Sequence, residues 1–514
     1  MAFESVVLMT FAWIAIIYLI FHFRRLVFVK MVKNIPGPKA LPLVGSVFHL
    51  LNRNADEIFG FLLSFARDYS SPFQVWMGNK LFIGIYEPDQ IKIILQSGNC
   101  LNKGKLYKFI EPALGKASLL TCPASVWIKN RKILVSGFNS NMLQSFFDIF
   151  VEQSVIFTDQ LEKIELNGNE IVLAEPILQC TATIACDTVL GVKWDLRADI
   201  ISQVCKEIIR CRKGIRHRLQ NIFLHPNIIY NLSASGRKQQ KGLNFIRSFV
   251  DEMIQQRQCA LNKSKTDVKE IIHRAICDML LKKSNKESFT HDDIHDNVLT
   301  MLVAVCKMSL QASDTIAITI NFATFMLANF PEIQEKAYQE LLGIYGLESP
   351  KFASIKYEDL QYMDYLDRVI KETMRLFPAV PLIARQLTED LRLGEFILPK
   401  DADIIIALGK VLRNKKYWPN PLMFDPDRFL PERLGNTYWD YYIAFSNGPR
   451  SCIGMKYTMI STKVILATLI RTFVFKVDKS IAIDKIKLNF DILLSPTEPL
   501  KVKLERREFL SKGI

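Results

Sequence analysis

The sequence predicts a mainly α-helical protein with small β-sheets, folded as one large domain. Apolar residues recur at three- and four-residue spacing over most of the chain, whereas runs with strand-like alternation are few and short. No Gly/Ser tract or low-complexity stretch marks a linker within the body. With 514 residues, 49% of them hydrophobic and 11% aromatic, the chain can bury a large core and does not resemble disordered proteins.

Seven segments carry the helical pattern and four carry the strand pattern. The predicted helices are Glu57–Tyr69, Ala124–Ser136, Met142–Glu165, Leu243–Leu261, Asp292–Ala328, Pro331–Tyr345 and Met363–Phe377. The predicted strands are Phe73–Val75, Leu81–Ile85, Ala402–Leu408 and Leu500–Leu504.

Residues 1–23 predict a transmembrane anchor. The stretch from Ser5 to Phe23 contains no Asp, Glu, Lys or Arg, and about 19 helical residues nearly span the ~30 Å core of a bilayer. A cleaved signal peptide is the alternative, but the apolar run is longer than usual, no small-residue cleavage site follows it, and Glu4 replaces the usual basic start.

Residues 24–40 predict a basic and proline-rich linker, followed by a catalytic body at 41–514. The basic residues at its start place the body in the cytosol by the positive-inside rule; they are Arg24, Arg25, Lys30 and Lys33. The prolines of Ile35-Pro36-Gly37-Pro38 prevent the helix from continuing and predict a stiff elbow.

Cysteine spacing and net charge limit the class of protein. The ten cysteines form no C-x-x-C pairs, which excludes a disulfide scaffold or zinc module and indicates a reducing compartment. The net charge of +14 invites a nucleic-acid role, but basic and aromatic residues are not gathered into one stripe, so we predict none. The densest basic patch, Lys206 to Arg218, is equally compatible with a solvated helix face and with contact to anionic lipid.

The sharpest motif is Phe445-Ser446-Asn447-Gly448-Pro449-Arg450-Ser451-Cys452-Ile453-Gly454. An apolar helical stretch follows it, so Cys452 is predicted at a helix N-terminus, where unpaired N–H groups favour thiolate over thiol. Gly448 and Gly454 lack Cβ, so the backbone can approach a flat group closely, and Arg450 supplies a cation for a carboxylate. A buried cysteine in a Gly/Pro turn is the alternative for a bare Gly-x-Arg-x-Cys.

The full pattern F-x-x-G-x-R-x-C-x-G resembles the haem-binding loop of the cytochrome P450 superfamily, and it lies near the C-terminus as it does in that family. The resemblance implies a cytochrome P450 fold with an N-terminal transmembrane helix and haem b ligated through its iron by Cys452. It also implies haem contacts from Phe445, Gly448, Arg450 and Gly454.

Other family motifs follow in the expected order. Glu372-Thr373-Met374-Arg375 resembles the E-x-x-R of helix K, whose i, i+3 spacing places both charges on one helical face. Arg428 matches the third member of that cluster, and the resemblance makes all three residues structural. Trp127 and Arg131 resemble the W-x-x-x-R of helix C; together with Arg385 they are the implied haem propionate contacts.

Asp314 and Thr315 resemble the oxygen-activating pair of helix I, in which carboxylate and hydroxyl relay protons. The chain is most similar to the microsomal family-four members of insects. In that family a glutamate near this pair can esterify haem; Gln311 occupies its position, so we expect a non-covalent cofactor. The segment from Val303 to Ala312 is about seven residues longer than the family pattern, and seven residues fall about 20° short of two helical turns.

The resemblance implies a monooxygenase of the endoplasmic reticulum membrane that inserts one oxygen atom into a lipophilic substrate, namely a fatty acid, hydrocarbon, hormone or xenobiotic. An NADPH-dependent flavoprotein reductase is the implied electron donor, with cytochrome b5 as a second candidate. A haem-thiolate isomerase that needs no electrons and a catalytically impaired haem-binding relative stay open as alternatives.

One further pair of residues has the spacing of a zinc site. His291 and His295 are four residues apart on a predicted helix. Thr290, followed by Asp292 and Asp293, instead favours a helix N-cap with an acidic first turn.

Overall fold

The computed structural model describes residues 12–13, 16, 23, 25–26, 28–41, 44–46, 64–164, 168–192, 198–263, 275–284, 289–305, 315–435, 438–490 and 493–508. The helices are α1 (Pro88–Gln96), α2 (Glu111–Leu114), α3 (Ala124–Leu134), α4 (Ser140–Ser145), α5 (Phe147–Glu162), α6 (Ala174–Ala185), α7 (Ala198–Gln220), α8 (Asn227–Leu232), α9 (Ala234–Lys263), α10 (Ile276–Ser284), α11 (His291–Val305), α12 (Thr315–Asn329), α13 (Pro331–Tyr345), α14 (Asp364–Leu376), α15 (Leu408–Val411), α16 (Tyr438–Tyr441) and α17 (Met455–Thr472). The strands are β1 (Phe73–Met77), β2 (Lys80–Ile85), β3 (Asn102–Lys103), β4 (Ile171–Val172), β5 (Ile383–Gln386), β6 (Leu391–Leu393), β7 (Phe396–Leu398), β8 (Asp403–Ile406), β9 (Phe473–Lys476), β10 (Leu488–Phe490), β11 (Leu494–Pro496) and β12 (Lys501–Arg506). The prediction of a mainly helical protein with small sheets is confirmed.

The first of two compact units comprises Met1–Lys105, Leu382–Val411 and Asn447–Arg450. Its centre is a five-stranded sheet in the order β1-β2-β8-β5-β3, in which β2 and β8 run parallel and the other pairs antiparallel. The two parallel strands are central and almost continuously apolar, as burial on both faces requires. β6 and β7 form a separate hairpin.

The proline-rich linker packs against this sheet. The Gln74 backbone N–H donates to the carbonyl of Pro36 at 2.8 Å, and its side-chain Nε2 donates to the carbonyl of Ile35 at 2.6 Å. A Cβ on Gly37 would lie 2.1 Å from the Gln74 carbonyl oxygen, so only glycine permits this approach. The chain is therefore tied to strand β1 within the predicted linker.

The second unit, Leu106–Pro381, Leu412–Ser446 and Ser451–Ile514, contains the main helical core. Helix α12 is hydrophobic on all sides, and every one of its residues from Ile316 to Asn329 is buried, as expected for a helix at the centre of a large core. Helix α17 buries most of its length and leads directly into β9, which pairs with β12. The ring of Phe322 on α12 stacks on Phe377 at 4.2 Å.

Several sequence predictions agree closely with the observed helices, and one is wrong in detail. Pro331–Tyr345 is observed with the predicted bounds. The single helix predicted from Met142 to Glu165 is instead two helices, α4 and α5, which meet at Phe146. The Asn139 side chain accepts from the backbone N–H of Met142 and so begins α4 earlier than apolar spacing indicated.

The predicted N-cap of α11 is confirmed. Thr290 Oγ1 accepts from the Asp293 backbone N–H at 3.1 Å, and Asp293 Oδ2 accepts from the Thr290 backbone N–H at 3.0 Å, which is a reciprocal capping box. In the part of the chain that the structure describes, no three His, Cys, Asp or Glu side chains are grouped to hold a metal ion.

The predicted anchor at 1–23 lies almost wholly outside the described residues. Among those that are described, no single helix is long and apolar enough to cross a membrane; α12 and α13 meet the length and composition criteria only as a pair bent by 110°. Both of these helices belong to the second unit.

Candidate functional site

The cysteine loop leads into helix α17 within the second unit. The helix begins at Met455 with Gly454 as its N-cap residue, and Cys452 lies two residues before that cap with its side chain exposed. The Cys452 backbone N–H donates to the carbonyl of Phe445 at 3.0 Å, which closes the loop behind the sulfur. Beyond the adjacent residues, the nearest atoms to a Cβ on Gly454 would be Cys452 Sγ and Phe138 Cε1, both at 4.0 Å. The sulfur therefore occupies an accessible position at the positive end of a long helix.

Helix α3 brings a tryptophan and an arginine to one face. Trp127 is 6% exposed, and Arg131 follows it at the i+4 position. Burial lowers the pKa of Arg131, while the charge of the Cys452 sulfur acts in the opposite direction and favours the protonated guanidinium. The candidate thiolate before α17 thus influences the charge of a cation on α3.

The first unit holds three of the other predicted cofactor contacts, namely Arg385, Gly448 and Arg450. Arg385 lies on β5 and is 1% exposed, with Nη1 donating to the carbonyl of Ala384 at 3.0 Å. Arg450 is 7% exposed, and its Nε donates to the carbonyl of Leu101 at 2.9 Å. Two arginines so deeply buried need anionic or carbonyl partners, because an uncompensated buried charge is costly.

Position 448 requires glycine because of its backbone conformation and a close contact within the first unit. Its φ is +74°, and a Cβ would lie 2.1 Å from the carbonyl oxygen of Leu95. Both the left-handed conformation and the close backbone approach exclude a larger side chain.

The charge cluster has the predicted three members and is almost fully buried. Arg375 donates from Nε to Glu372 Oε2 at 2.6 Å and from Nη2 to Oε1 at 2.8 Å. Arg428 Nε donates to the same Oε1 at 3.3 Å, and the Asp425 backbone N–H donates to it at 3.0 Å. Burial raises the pKa of Glu372, and the hydrogen bonds from Arg375 act against that rise. Because carbonyl oxygens of Leu412 and Pro421 also accept from Arg375, the cluster fixes the segment after residue 411 onto α14.

A third cation, beside this cluster, was not predicted. Arg413 donates from Nε to the carbonyl of Leu376 at 2.8 Å, and its guanidinium lies 5.3 Å from the centre of the Phe377 ring. Burial, with a smaller contribution from Arg375, lowers the pKa of Arg413 to about 10. No sequence signal distinguishes this arginine from exposed ones, because its burial depends on a helix more than thirty residues upstream.

Tyr457 is a second residue that sequence reasoning missed. Its ring contacts that of Phe150 edge-on at 5.1 Å and that of Phe138 at 6.3 Å, and its hydroxyl lies 3.0 Å from Thr188 Oγ1. Tyr457 lies five residues after Cys452 and holds the first turn of α17 against helix α5. In the sequence, Tyr457 is only one apolar position in a long helical stretch.

The predicted oxygen-activating pair is described in part. Thr315 is the first residue of α12 and is partly buried, and its carbonyl accepts from Thr319 Oγ1 at 2.9 Å. Asp314, Gln311 and most of the lengthened segment lie outside the described residues.

The residues of the second unit fit a haem group on their own chemistry. An iron ligand must be accessible and anionic, and Cys452 is exposed at a helix N-terminus. A propionate needs a cation that is shielded from water, and Arg131 is half-buried, with the Cys452 sulfur favouring its protonated form. These features support an iron porphyrin rather than a free metal ion.

Comparison with known proteins also indicates a haem protein. The cytochrome P450 family model matches residues 35–504. Cytochrome P450 4c21 of Blattella germanica is 30% identical over 497 residues, covering 95% of this chain and 96% of that protein. Cytochrome P450 4c3 of Drosophila melanogaster is 29% identical, covering 96% and 93%, and human cytochrome P450 4V2 is 30% identical, covering 91% and 89%. The resemblance predicted from the cysteine loop is confirmed: the chain belongs to the cytochrome P450 family and is a haem-dependent monooxygenase.

Proposed function

We propose that this monooxygenase would hold haem b through the thiolate of Cys452 as iron ligand, and that it inserts one oxygen atom from O2 into a lipophilic substrate. The observation that carries the proposal is the exposed Cys452 side chain just before the N-terminus of α17. Electrons come from an NADPH-dependent flavoprotein reductase, with cytochrome b5 as a further donor. The substrate is a fatty acid, hydrocarbon, hormone or xenobiotic.

The protein holds the cofactor through charge and shape. Trp127 and Arg131 donate to one propionate, and Arg385 and Arg450 supply further cations. Phe445, Gly448 and Gly454 keep the loop around the sulfur compact. Because Gln311 replaces the glutamate that can form an ester, the cofactor is held without a covalent bond.

When bound, haem supplies reductive activation of dioxygen and transfer of one oxygen atom. The Thr315 hydroxyl holds a water molecule near the reacting oxygen, and the Asp314 carboxylate passes protons to that water from solvent. Helix α12, which is buried from Ile316 to Asn329, excludes bulk water from one side of this relay. The Cys452 thiolate keeps its negative charge through the N-terminus of α17 and the nearby guanidinium.

The chain acts at the endoplasmic reticulum membrane through its first 23 residues. The basic residues that follow keep the body in the cytosol, where a reductase in the same membrane can reach it. Arg25 donates from Nη1 to the carbonyl of Leu41 at 2.9 Å, and its guanidinium lies 5.2 Å from the centre of the Trp76 ring. The start of the linker is therefore bound to the rest of the first unit.

The deciding experiment compares Cys452→Ser with Cys259→Ser, since both side chains are exposed cysteines. The unaltered chain and Cys259→Ser should give the sulfur-ligated spectrum of the reduced carbon-monoxide complex, and Cys452→Ser should not. Persistence of that spectrum in Cys452→Ser would refute the ligand assignment.

Turnover then separates the three candidate functions. A lipid panel with NADPH and reductase should yield hydroxylated product coupled to NADPH consumption. A rearranged product without electron demand would identify an isomerase, and a thiolate spectrum without any turnover would identify an impaired relative. Acid extraction should remove the porphyrin completely; porphyrin retained on the chain would contradict the non-covalent assignment.

A further inference from the structure

The first turn of helix α17 is fixed to the core by Tyr457. Met455 and Lys456 before it are exposed, whereas Tyr457 is 2% exposed and is the first buried residue of the helix. Gly454 has no side chain with which to cap the helix, so the N–H groups of that turn are left for other acceptors. Helix ends fray unless contacts hold them. The position of this turn next to Cys452 therefore depends on what holds Tyr457.

Three phenylalanine rings surround the ring of Tyr457. The ring of Phe150 lies edge-on at 5.1 Å, and those of Phe138 and Phe146 lie edge-on at 6.3 and 6.5 Å. Phe138 also lies beside the start of the helix, because its Cε1 would be 4.0 Å from a Cβ on Gly454. Edge-on ring pairs are favourable and do not involve the hydroxyl. A phenylalanine at position 457 would therefore keep these contacts.

The hydroxyl of Tyr457 makes a separate, directed contact with Thr188. The two oxygens are 3.0 Å apart. Thr188 Oγ1 already donates its one proton to the carbonyl of Ile184 at 2.7 Å, so Tyr457 is the donor and Thr188 is the acceptor. Thr188 is fully buried, at 0% exposure. Because a buried hydroxyl without a partner is costly, this bond fixes the direction in which the Tyr457 side chain points.

Thr188 is itself held in an unusual turn. It lies in a π-helical turn, Cys186–Leu190, that continues α6. Such turns are rare and are frequent at functional sites. Gly191 follows the turn, and its carbonyl accepts from Arg257 Nη1 at 3.1 Å, while Arg257 Nε donates to Asp278 Oδ1 at 2.8 Å. The acceptor of the Tyr457 hydroxyl is thus part of a segment that a largely buried ion pair holds in place.

These contacts bear on the sulfur of Cys452 through the end of α17. An anion at a helix N-terminus is stabilised by the N–H groups of the first turn, and this effect falls off within one turn. Hydrogen bonds and positive charge near a ligating sulfur determine how strongly it donates to iron, and hence the reduction potential.

We propose that Tyr457, through its hydrogen bond to Thr188, is a positioning residue that holds the first turn of α17 against Cys452 and thereby raises the reduction potential of the bound haem. The inference rests on the proposed role of Cys452 as iron ligand. A merely structural role would change the stability of the fold but not this potential.

Spectroelectrochemical titration of the full haem-loaded chain tests the positioning role. Tyr457→Phe keeps the ring contacts and removes the hydrogen bond. A turn held less closely to the sulfur offsets less of its negative charge, so the sulfur donates more strongly and favours oxidised iron. We therefore expect the ratio of reduced to oxidised haem, at one fixed applied potential, to fall about threefold. Thr188→Val should give the same fall, whereas Thr188→Ser, which keeps the acceptor, should restore the unaltered ratio.

Tyr345→Phe is the matched control at the other end of α17. The ring centre of Tyr345 lies 4.0 Å from the guanidinium of Arg471 in the last turn of the helix, and its hydroxyl donates to Asp359 Oδ2 at 2.8 Å. Tyr345→Phe also removes one hydroxyl hydrogen bond, so it should lower the melting temperature and leave the haem ratio unchanged.

The double variant Tyr457→Phe/Thr188→Val should show no further fall than either single variant, since both changes remove the same bond. An unchanged ratio in Tyr457→Phe, an equal fall in Tyr345→Phe, or additive falls in the double variant would each overturn the positioning role. If Tyr457→Phe does not retain haem, Thr188→Val and Thr188→Ser decide the question by the same ratio. An unaltered chain without the sulfur-ligated carbon-monoxide spectrum would refute the ligand assignment, whereas that spectrum together with unchanged ratios would refute only the role of Tyr457.

Discussion

Replacing Arg375 with methionine should destabilise the protein far more than an ordinary ion-pair deletion. Arg375 and Glu372 are both 0% exposed and joined at 2.6 Å. Lys476 and Glu505 are also joined at 2.6 Å but are 52% and 54% exposed. Distance is therefore matched between the two pairs, and burial is the variable.

The size of the effect follows from what each deletion leaves behind. Arg375→Met leaves the Glu372 carboxylate buried without its main partner and removes the donors that bind the carbonyls of Leu412 and Pro421. We therefore expect the free energy of unfolding to fall by about 3–5 kcal/mol. Lys476→Met leaves the Glu505 carboxylate in water, so we expect the free energy of unfolding to fall by only about 0–1 kcal/mol. The double variant Glu372→Gln/Arg375→Met removes the orphaned charge and should be more stable than Arg375→Met alone.

Urea unfolding followed by far-ultraviolet circular dichroism measures these differences in haem-loaded protein. A coupling energy above about 2 kcal/mol between Glu372 and Arg375 is expected from the double-mutant cycle. The reasoning is refuted if Arg375→Met shifts the unfolding midpoint no further than Lys476→Met, or if adding Glu372→Gln lowers stability by the same amount in both backgrounds.

Three further predictions concern a turn, a titrating side chain and a hydroxyl. Gly448→Ala should lower the free energy of unfolding by about 2–3 kcal/mol and reduce the haem retained after purification. Gly346→Ala, at a similar φ of +62° but with open space around it, should lower that free energy by about 1 kcal/mol. Equal losses would show that the steric clash is unimportant. Burial lowers the pKa of His295, but the nearby aspartates outweigh this effect and the net shift of the pKa is upward. The contribution of His295 to the stability of the fold is therefore full below about pH 6.5 and is lost as pH rises through the raised pKa. The difference in melting temperature between wild type and His295→Gln should therefore shrink from about pH 6 to 8, and a constant difference would argue against the assignment. Thr315→Val should lower product formed per NADPH about tenfold, whereas Thr319→Val, one turn along the same helix, should not; parallel loss in both would indicate a packing defect.

The sequence predicted best what depends on local spacing. The pairing of Glu372 with Arg375 follows from their i, i+3 positions on one helix, and the capping box at Thr290 and Asp293 follows from residue type and a three-residue interval. The position of Cys452 before a helix follows from the apolar stretch after it. Each of these predictions needs only the chain within a few residues.

Other features depend on contacts between distant segments and were not predictable. Arg218 was grouped with a basic patch, but its guanidinium is buried between Phe109 and Tyr230, and only the fold brings those rings together. His295 was considered as a zinc ligand, whereas its Nε2 lies 3.6 Å from Oδ1 of Asp251, on the distant helix α9. Burial of a polar side chain is a tertiary property, so periodicity cannot reveal it.

Helix α11 is fastened near its start. Asp296 Oδ2 accepts from the backbone N–H of Ala117 at 2.9 Å, Asn297 Oδ1 accepts from that of Leu119 at 3.0 Å, and Thr300 donates to Ser118 Oγ at 2.7 Å. A one-residue insertion before these three positions would rotate them by about 100° and break all three bonds together.

Insertions after Val305 have no such effect. The bonds that fix α11 lie upstream, and α12 is aligned by its own buried side chains from Ile316 onward. Each helix is thus held by contacts of residues outside 306–314.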